Sequence, residues 1–286
     1  MILFKKITDL HNWLDDQQKK GRRLGFVPTM GALHNGHISL IDTSKKENDI
    51  TVCSIFINPA QFNDPTDFNK YPVTIENDIR MLEAAGNDVL FLPPVKEIYP
   101  VDMANDINRN YELGSIETIL EGKFRPGHFQ GVCRVVQRLL EIVQPDNLYL
   151  GQKDYQQCMV ITRLVELLNP DRKINMHICP TVREADGLAM SSRNMRLIKA
   201  ERERAVEIYQ SLMMIKENLN QQSLPTIRKL AQTQLEKKGF KIDYVEIADA
   251  ENLFPVNRWN GKSKLVALVA VFLNEVRLID NMLLNQ

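Results

Sequence analysis

Apolar residues along this chain fall into two alternating rhythms. Short, densely apolar runs at 24–27, 50–57, 89–92, 147–150 and 174–179 have the character of strands buried on both faces. Between them, residues 75–85, 129–143 and 155–168 show the three-to-four-residue apolar spacing of amphipathic helices. A shorter helix is expected at 115–120, and another runs from a cap at Thr8 to a stop near Gly21, after a short strand at 2–4. Strands alternating with helices predict an α/β fold with a doubly wound parallel sheet. In such sheets ligands bind beyond the carboxyl ends of the strands. Past Pro180 the order changes. Helical stretches at 199–219 and 224–238 precede strand runs at 244–247, 265–273 and 276–279, which predicts a smaller α+β unit with an antiparallel sheet. The expected division is therefore 1–180 and 181–286. Residues 95–114 carry no assignable pattern, and 58–72 read as a long polar loop of the kind that more often serves function than idles.

Composition narrows the class. The 286 residues are 44% apolar and 25% charged, ordinary for a globular protein, and Lys+Arg balance Asp+Glu at 36 each. That balance argues against a nucleic-acid or membrane surface held by bulk charge, so an anionic ligand must be bound locally. Cys53, Cys133, Cys158 and Cys179 are widely spaced without a CxxC pattern, which speaks against zinc and against a disulfide framework. They read as small buried hydrophobes. The start MILFKKITDL lacks a signal-like apolar core, and the apolar run at 265–273 is too short to span a bilayer, so a cytoplasmic protein is expected.

The densest chemistry lies at 28–37, PTMGALHNGH, between an expected strand and an expected helix. Pro28 is expected to end the strand, while Gly31 and Gly36 permit backbone shapes that a Cβ would block. The helix that follows turns its free N–H groups back on the turn, making an anion site. His34 and His37 can converge on one face of that entrance as two donors to phosphate oxygens. The alternative is a loop with two solvated histidines, but only five histidines occur in the chain.

Three further strings follow expected strands. NPAQF (58–62) can aim the Gln61 amide into a crevice. GQKD (151–154) offers a close backbone approach at Gly151, a helix cap at Asp154 and a positive charge at Lys153. PTVREADGLAMSSRN (180–194) presents two hydroxyls and a guanidinium in succession at Ser191, Ser192 and Arg193, a grouping suited to phosphate. For each, a capped helix or a solvated loop is the plain alternative.

HNGH resembles the HxGH signature of the nucleotidylyltransferase superfamily. Together with NPAQF, GQKD and MSSRN, the longer string is similar to the pantothenate synthetase (pantoate–β-alanine ligase) family within it, over almost the whole chain. The resemblance implies a Rossmann-like ATP- and pantoate-binding domain with a C-terminal lid domain. It also implies ATP-dependent condensation of pantoate with β-alanine through a pantoyl adenylate, releasing pyrophosphate and AMP. ATP contacts are implied for Met30, Gly31, Ala32, Leu33, His34, Asn35, Gly36 and His37, for Gly151, Gln152, Lys153 and Asp154, and for Val182, Met190, Ser191, Ser192 and Arg193. Of these, His34, His37, Lys153, Ser192 and Arg193 would stabilise charge growing on the phosphates, while Gln61 and Gln157 would hold pantoate. Tyr71 and Pro72 resemble the approach to the second substrate, and RPGH (125–128) resembles a loop near pantoate. Asp78 is either a ligand for magnesium or a solvated aspartate on a helix face. Asn35 and Gln152 stand where the family usually has glutamate. A homodimer is implied, without nucleic-acid or membrane partners. Two rivals are an adenylyltransferase acting on a phosphate-ester acceptor in coenzyme A or NAD synthesis, and a noncatalytic nucleotide-sensing or RNA-binding module.

Overall fold

The computed structural model describes residues 1–100, 109–168 and 173–285 of the chain. A six-stranded sheet runs in the order β1-β4-β3-β2-β5-β6, with all pairings parallel. Its strands are β1 (Ile2–Phe4), β2 (Leu24–Thr29), β3 (Ile50–Ile55), β4 (Val89–Phe91), β5 (Asn147–Gly151) and β6 (Asn175–Cys179). Helices α1 (Ile7–Lys19), α2 (Asn35–Glu47), α3 (Ile75–Ala84), α4 (His128–Val143) and α5 (Tyr155–Leu168) connect or flank them.

Strand alternation explains why both faces are covered. Leu24, Phe26, Val52, Phe91 and Leu148 point into a core with Leu10 and Leu14 of α1, Val132, Val136 and Leu139 of α4, and Ile161 and Leu164 of α5. Their neighbours Val27, Cys53, Leu90 and Tyr149 point to the other face, against Leu40 and Ile41 of α2 and Leu82 of α3. The chain thus winds one way from β2 through β3 to β4, then returns to place β5 on the other side of β2. The carboxyl ends of β2 and β5 flank this reversal, and they release the PTMGALHNGH turn and the GQKD turn respectively.

A second sheet, β7 (Lys241–Asp249), β8 (Leu265–Leu273) and β9 (Val276–Leu283), is antiparallel. Helices α6 (Lys199–Ala205), α7 (Glu207–Asn218) and α8 (Leu224–Lys237) pack on one face through Ile208, Leu212, Ile227 and Leu235 against Val245, Ile247, Val269 and Val271. The other face turns Ala248, Val266 and Leu268 toward Leu120, Ile116 and Tyr155 of the first unit. An α/β doubly wound parallel sheet with a smaller α+β unit is therefore the observed architecture.

Several expectations are corrected. Pro28 does not end its strand, because it pairs in register with Ser54 inside β2. Thr29 offers its carbonyl to Phe56 on the β3 side, so the position of Pro28 faces the β5 side, where pairing ends at Phe26 and no N–H is needed. Thr8 lies inside α1, and Lys6 occupies the capping position. Residues 115–120 form only a short 3₁₀ turn, Gly114–Glu117. The helical stretch at 199–219 is divided at Val206. The loop at 58–72 holds two short helical pieces, Pro59–Gln61 and Pro65–Asn69. β9 outruns its expected end because Asp280 and Asn281 interrupt its apolar pattern while remaining buried. Of the unassigned segment 95–114, Val95–Ile98 is a helical turn, and 101–108 lie outside the described residues. All four cysteines are buried free thiols, with burial pushing those of Cys53 and Cys133 up to about 12.

Candidate active site

The turn after β2 is shaped by a side chain from another helix. Gly31 and Ala32 adopt φ of +81° and +49°, the second uncommon for a residue with a Cβ. Asp78, in the first turn of α3, accepts the N–H of Ala32 at 2.9 Å and that of Leu33 at 2.8 Å, and Thr74 donates to the same carboxylate at 2.9 Å. Asp78 is 0% exposed. The expectation of a solvated aspartate is corrected: the carboxylate is buried, and both its oxygens accept hydrogen bonds from the turn or from Thr74.

The turn delivers the two histidines at the mouth of α2. His34 is the N-cap, and its Nδ1 accepts the N–H of Gly36 at 3.1 Å. His37 Nδ1 accepts the N–H of His34 at 3.3 Å, and the two rings lie 4.0 Å apart. Because both Nδ1 atoms are acceptors, the neutral rings carry their protons on Nε2. Burial, helped by the Lys153 ammonium, lowers the pKa of His34 to about 4. Burial, His34 and Lys153 push His37 well below the ordinary value. The helix mouth therefore bears two neutral imidazoles, each with one Nε2–H, beside the positive end of α2.

The amide wall stands opposite in sequence but shares the cavity. Asn58 donates to Gln61 Oε1 and to the carbonyl of Gly131, both at 3.1 Å, and accepts from the hydroxyl of Tyr99 at 2.8 Å. Gln61 donates to the sulfur of Met30. Helix α4 can approach this loop only because residue 131 is glycine: a Cβ there would lie 2.1 Å from the carbonyl oxygen of Ala60. His128, at the start of α4, meets the carbonyl of Gln61 through Nδ1 at 2.7 Å and Arg125 through Nε2 at 3.2 Å. A carbonyl only accepts, so this ring is the opposite tautomer. Burial and Arg125 lower its pKa to about 3.

From the later segments, Gly151, Lys153, Asp154 and Gln157 line the same cavity as Met30, His34, Gly36, His37 and Gln61, and so do Val182, Met190, Ser191, Ser192 and Arg193. Lys153 Nζ lies 3.6 Å from Asp154. The Ser192 hydroxyl donates to the carbonyl of Ala32 at 2.9 Å, tying the MSSRN segment to the first turn. Arg193 donates to both oxygens of Asp67, at 2.7 and 3.3 Å, and Arg196 donates to the same carboxylate at 2.8 Å. Burial alone would raise the pKa of Asp67, but Arg193 and its companions hold it below its usual range. Gly31, Ala32, Leu33, Asn35 and Gln152 are not among the lining residues. Gly31 and Ala32 carry the positive φ of the turn, Leu33 is buried, Asn35 is the exposed first residue of α2, and Gln152 is bonded to Asn281 at 3.2 Å.

Several wall residues had no sequence signal. Glu121, at the start of the helical turn Glu121–Phe124, accepts both Nη groups of Arg277 and the hydroxyl of Tyr244, each at 2.8 Å, tying that turn to the second sheet beside the cavity. Burial alone would raise its pKa, but Arg277 brings it down to about 2. Asn58 of the wall, and Asp67, which holds Arg193 from outside that lining, carry no individual signal in the sequence either. Buried polar residues inside otherwise apolar runs, such as Asp280 and Asn281, were the available clue.

Among the described residues no cluster of three or more His, Cys, Asp or Glu side chains could hold a metal, and no helix is long and apolar enough to cross a membrane. The family model described as pantoate–β-alanine ligase matches residues 2–283. Pantothenate synthetase of Bacteroides thetaiotaomicron is 42% identical over 282 residues, covering 98% of each chain, and that of Fervidobacterium nodosum is 43% identical with full coverage of both. The crystal structure of pantothenate synthetase from Thermus thermophilus matches the whole of both chains with a TM-score of 0.91 at 38% identity. That of pantoate–β-alanine ligase from Francisella tularensis, complexed with β-γ ATP and β-alanine, matches with a TM-score of 0.80 at 40% identity, covering 99% of this chain and 97% of that one. Matched from end to end by the family model, by curated relatives and by solved structures, the chain belongs to the pantoate–β-alanine ligase family.

Proposed function

We propose that this protein joins pantoate to β-alanine using ATP, in two steps within the one cavity. A pantoate carboxylate oxygen attacks the α-phosphorus of ATP, and pyrophosphate leaves. The β-alanine amine then attacks the carbonyl of pantoyl adenylate, the acyl–oxygen bond breaks, and AMP departs. The observation that carries this reading is the convergence of the two Nε2–H donors of His34 and His37 with Lys153, Ser192 and Arg193 around one cavity that also holds the Gln61 and Gln157 amides. No side chain is required as a nucleophile. The residues work by alignment and by stabilising charge that grows on the phosphates. Met30, Gly36, Gly151, Asp154, Val182, Met190 and Ser191 contact the nucleotide, while Gly31, Ala32, Leu33, Asn35 and Gln152 act through the backbone turns they form.

Magnesium would enter with ATP and supply positive charge at its phosphates, while the Asp78 carboxylate, bonded to Ala32, Leu33 and Thr74, would hold the turn. The chain divides near residue 180, with 181–286 acting as the lid, and works as a cytoplasmic homodimer. The test mixes ATP, magnesium and pantoate with labelled pyrophosphate. Exchange into ATP that requires pantoate, and AMP release that requires β-alanine, are expected. Exchange that instead requires a phosphate-ester acceptor would overturn the reading, and ATP binding without AMP release would mark a sensor.

A further inference from the structure

The segment that presents Lys153 cannot define its own geometry. It is a 3₁₀ turn of three residues, Gln152–Asp154, wedged between β5 and α5. What grips it comes from the other sheet. Asn281 of β9 donates through Nδ2 to the carbonyl of Gln152 at 3.0 Å and to that of Lys153 at 2.8 Å. Its Oδ1 accepts from Gln152 Nε2 at 3.2 Å, so every polar atom of the Asn281 amide is used on this one turn. Asn281 is only 3% exposed. A buried amide is costly unless its bonds are all made, and here they are all made to the Lys153 segment.

The adjacent residue extends the grip. Asp280 accepts both Nη groups of Arg183, at 2.6 and 3.1 Å, and the Asn281 carbonyl accepts from the same guanidinium at 3.3 Å. Arg183 follows Val182, which lines the cavity. Two consecutive side chains of β9 therefore hold two separate stretches of the cavity wall.

We propose that Asn281 is a positioning residue for the adenylation step: by clamping the carbonyls of Gln152 and Lys153 from the second sheet, it fixes the direction in which the Lys153 ammonium enters the cavity. The proposal rests on the ligase reading given above. It makes the chemistry of the first sheet dependent on the seating of the second, because the clamp exists only while β9 lies against the turn. Asn281 lines the same cavity, but its amide atoms are all spent on this turn.

The test is pantoate-dependent pyrophosphate exchange in the full-length enzyme, with kcat separated from KM for ATP and pantoate. Asn281→Asp, nearly the same shape, loses both donors and faces two carbonyls with a carboxylate. Its kcat is expected to fall about 10- to 100-fold with KM for pantoate unchanged, since small misplacements of a reacting group carry penalties of that order. The decisive arm is the same change in a Lys153→Ala background. If Asn281 acts through Lys153, the substitution has little further effect there, whereas a general structural role would subtract the same factor again. If Asn281→Asp does not fold, Asn281→Ser, with one hydroxyl donor, is expected to lose kcat several-fold in the wild-type background and nothing in the Lys153→Ala background. Unchanged kcat, or equal losses in both backgrounds, overturns the positioning role while leaving the ligase reading intact. Absence of pantoate-dependent exchange in the unaltered enzyme overturns both.

Discussion

Asp78 accepts the backbone N–H of Ala32 at 2.9 Å, across 46 residues of sequence, and so holds a left-handed residue at the entrance to the nucleotide turn. A residue with a Cβ at φ +49° costs of the order of 1–3 kcal/mol, and the surrounding structure must overdetermine it. Asp78→Ala leaves two buried N–H groups unpaired, each worth about 1–3 kcal/mol. Lower stability in urea unfolding and loss of pyrophosphate exchange are expected, and neither should recover as magnesium is raised. Recovery at high magnesium would mean that the carboxylate is a metal ligand after all.

His37→Ala removes one Nε2–H donor from the helix mouth. By the measure of other preorganised donors, the rate of adenylate formation should fall about 10²- to 10³-fold. Single-turnover measurement of AMP-containing intermediate checks this, and near-normal turnover would remove His37 from the reacting centre.

Acidification should unfold the protein through its histidines. Their pKa values are depressed in the fold, to about 4 for His34 and about 3 for His128. Between the ordinary value near 6.5 and these lowered values, the unfolded chain takes up protons that the folded chain refuses. Stability is therefore lost as pH falls through this window, by about 1.4 kcal/mol per pH unit for each such ring. Glu121, at about 2 in the fold, adds to the loss below its ordinary 4.5. Melting temperatures recorded from pH 7 to 4 should fall steadily, with proton uptake on unfolding; a flat profile would contradict the buried neutral tautomers.

Glu121→Ala takes a partner from Arg277 and Arg125 where the turn at 121–124 meets the second sheet. Removing one partner of a buried ion pair costs about 3–5 kcal/mol. Because Asp243 still accepts from Arg277 Nε at 2.7 Å, the lower part of that range is expected. Denaturant titration reads the stability, and a change within experimental scatter would show that the join does not depend on this carboxylate.

What could be read from sequence differs by kind. The alternation of strands and helices, and the strings around His34, Gln61, Lys153 and Arg193, were legible because each is local: a strand end, a glycine, a helix start and a polar group within a few residues. Spacing cannot say that an aspartate on α3 lies under a turn 46 residues earlier, so the hold of Asp78 on Ala32 is invisible in the sequence. Asn58, Glu121 and Asn281 escaped because their meaning lies wholly in a partner supplied by another element. The tolerance of β2 for Pro28 is hidden in the sequence for the same reason. Whether a strand tolerates proline depends on which neighbour is missing, and the absent pairing belongs to β5.

The contact between Gly131 and the carbonyl of Ala60 has an engineering consequence. A single methyl group introduced there would drive α4 and the NPAQF loop apart, shifting the Gln61 amide together with His128 and the other cavity residues that α4 carries. Gly131→Ala would thus remodel the cavity from behind its wall, through the seating of the helix.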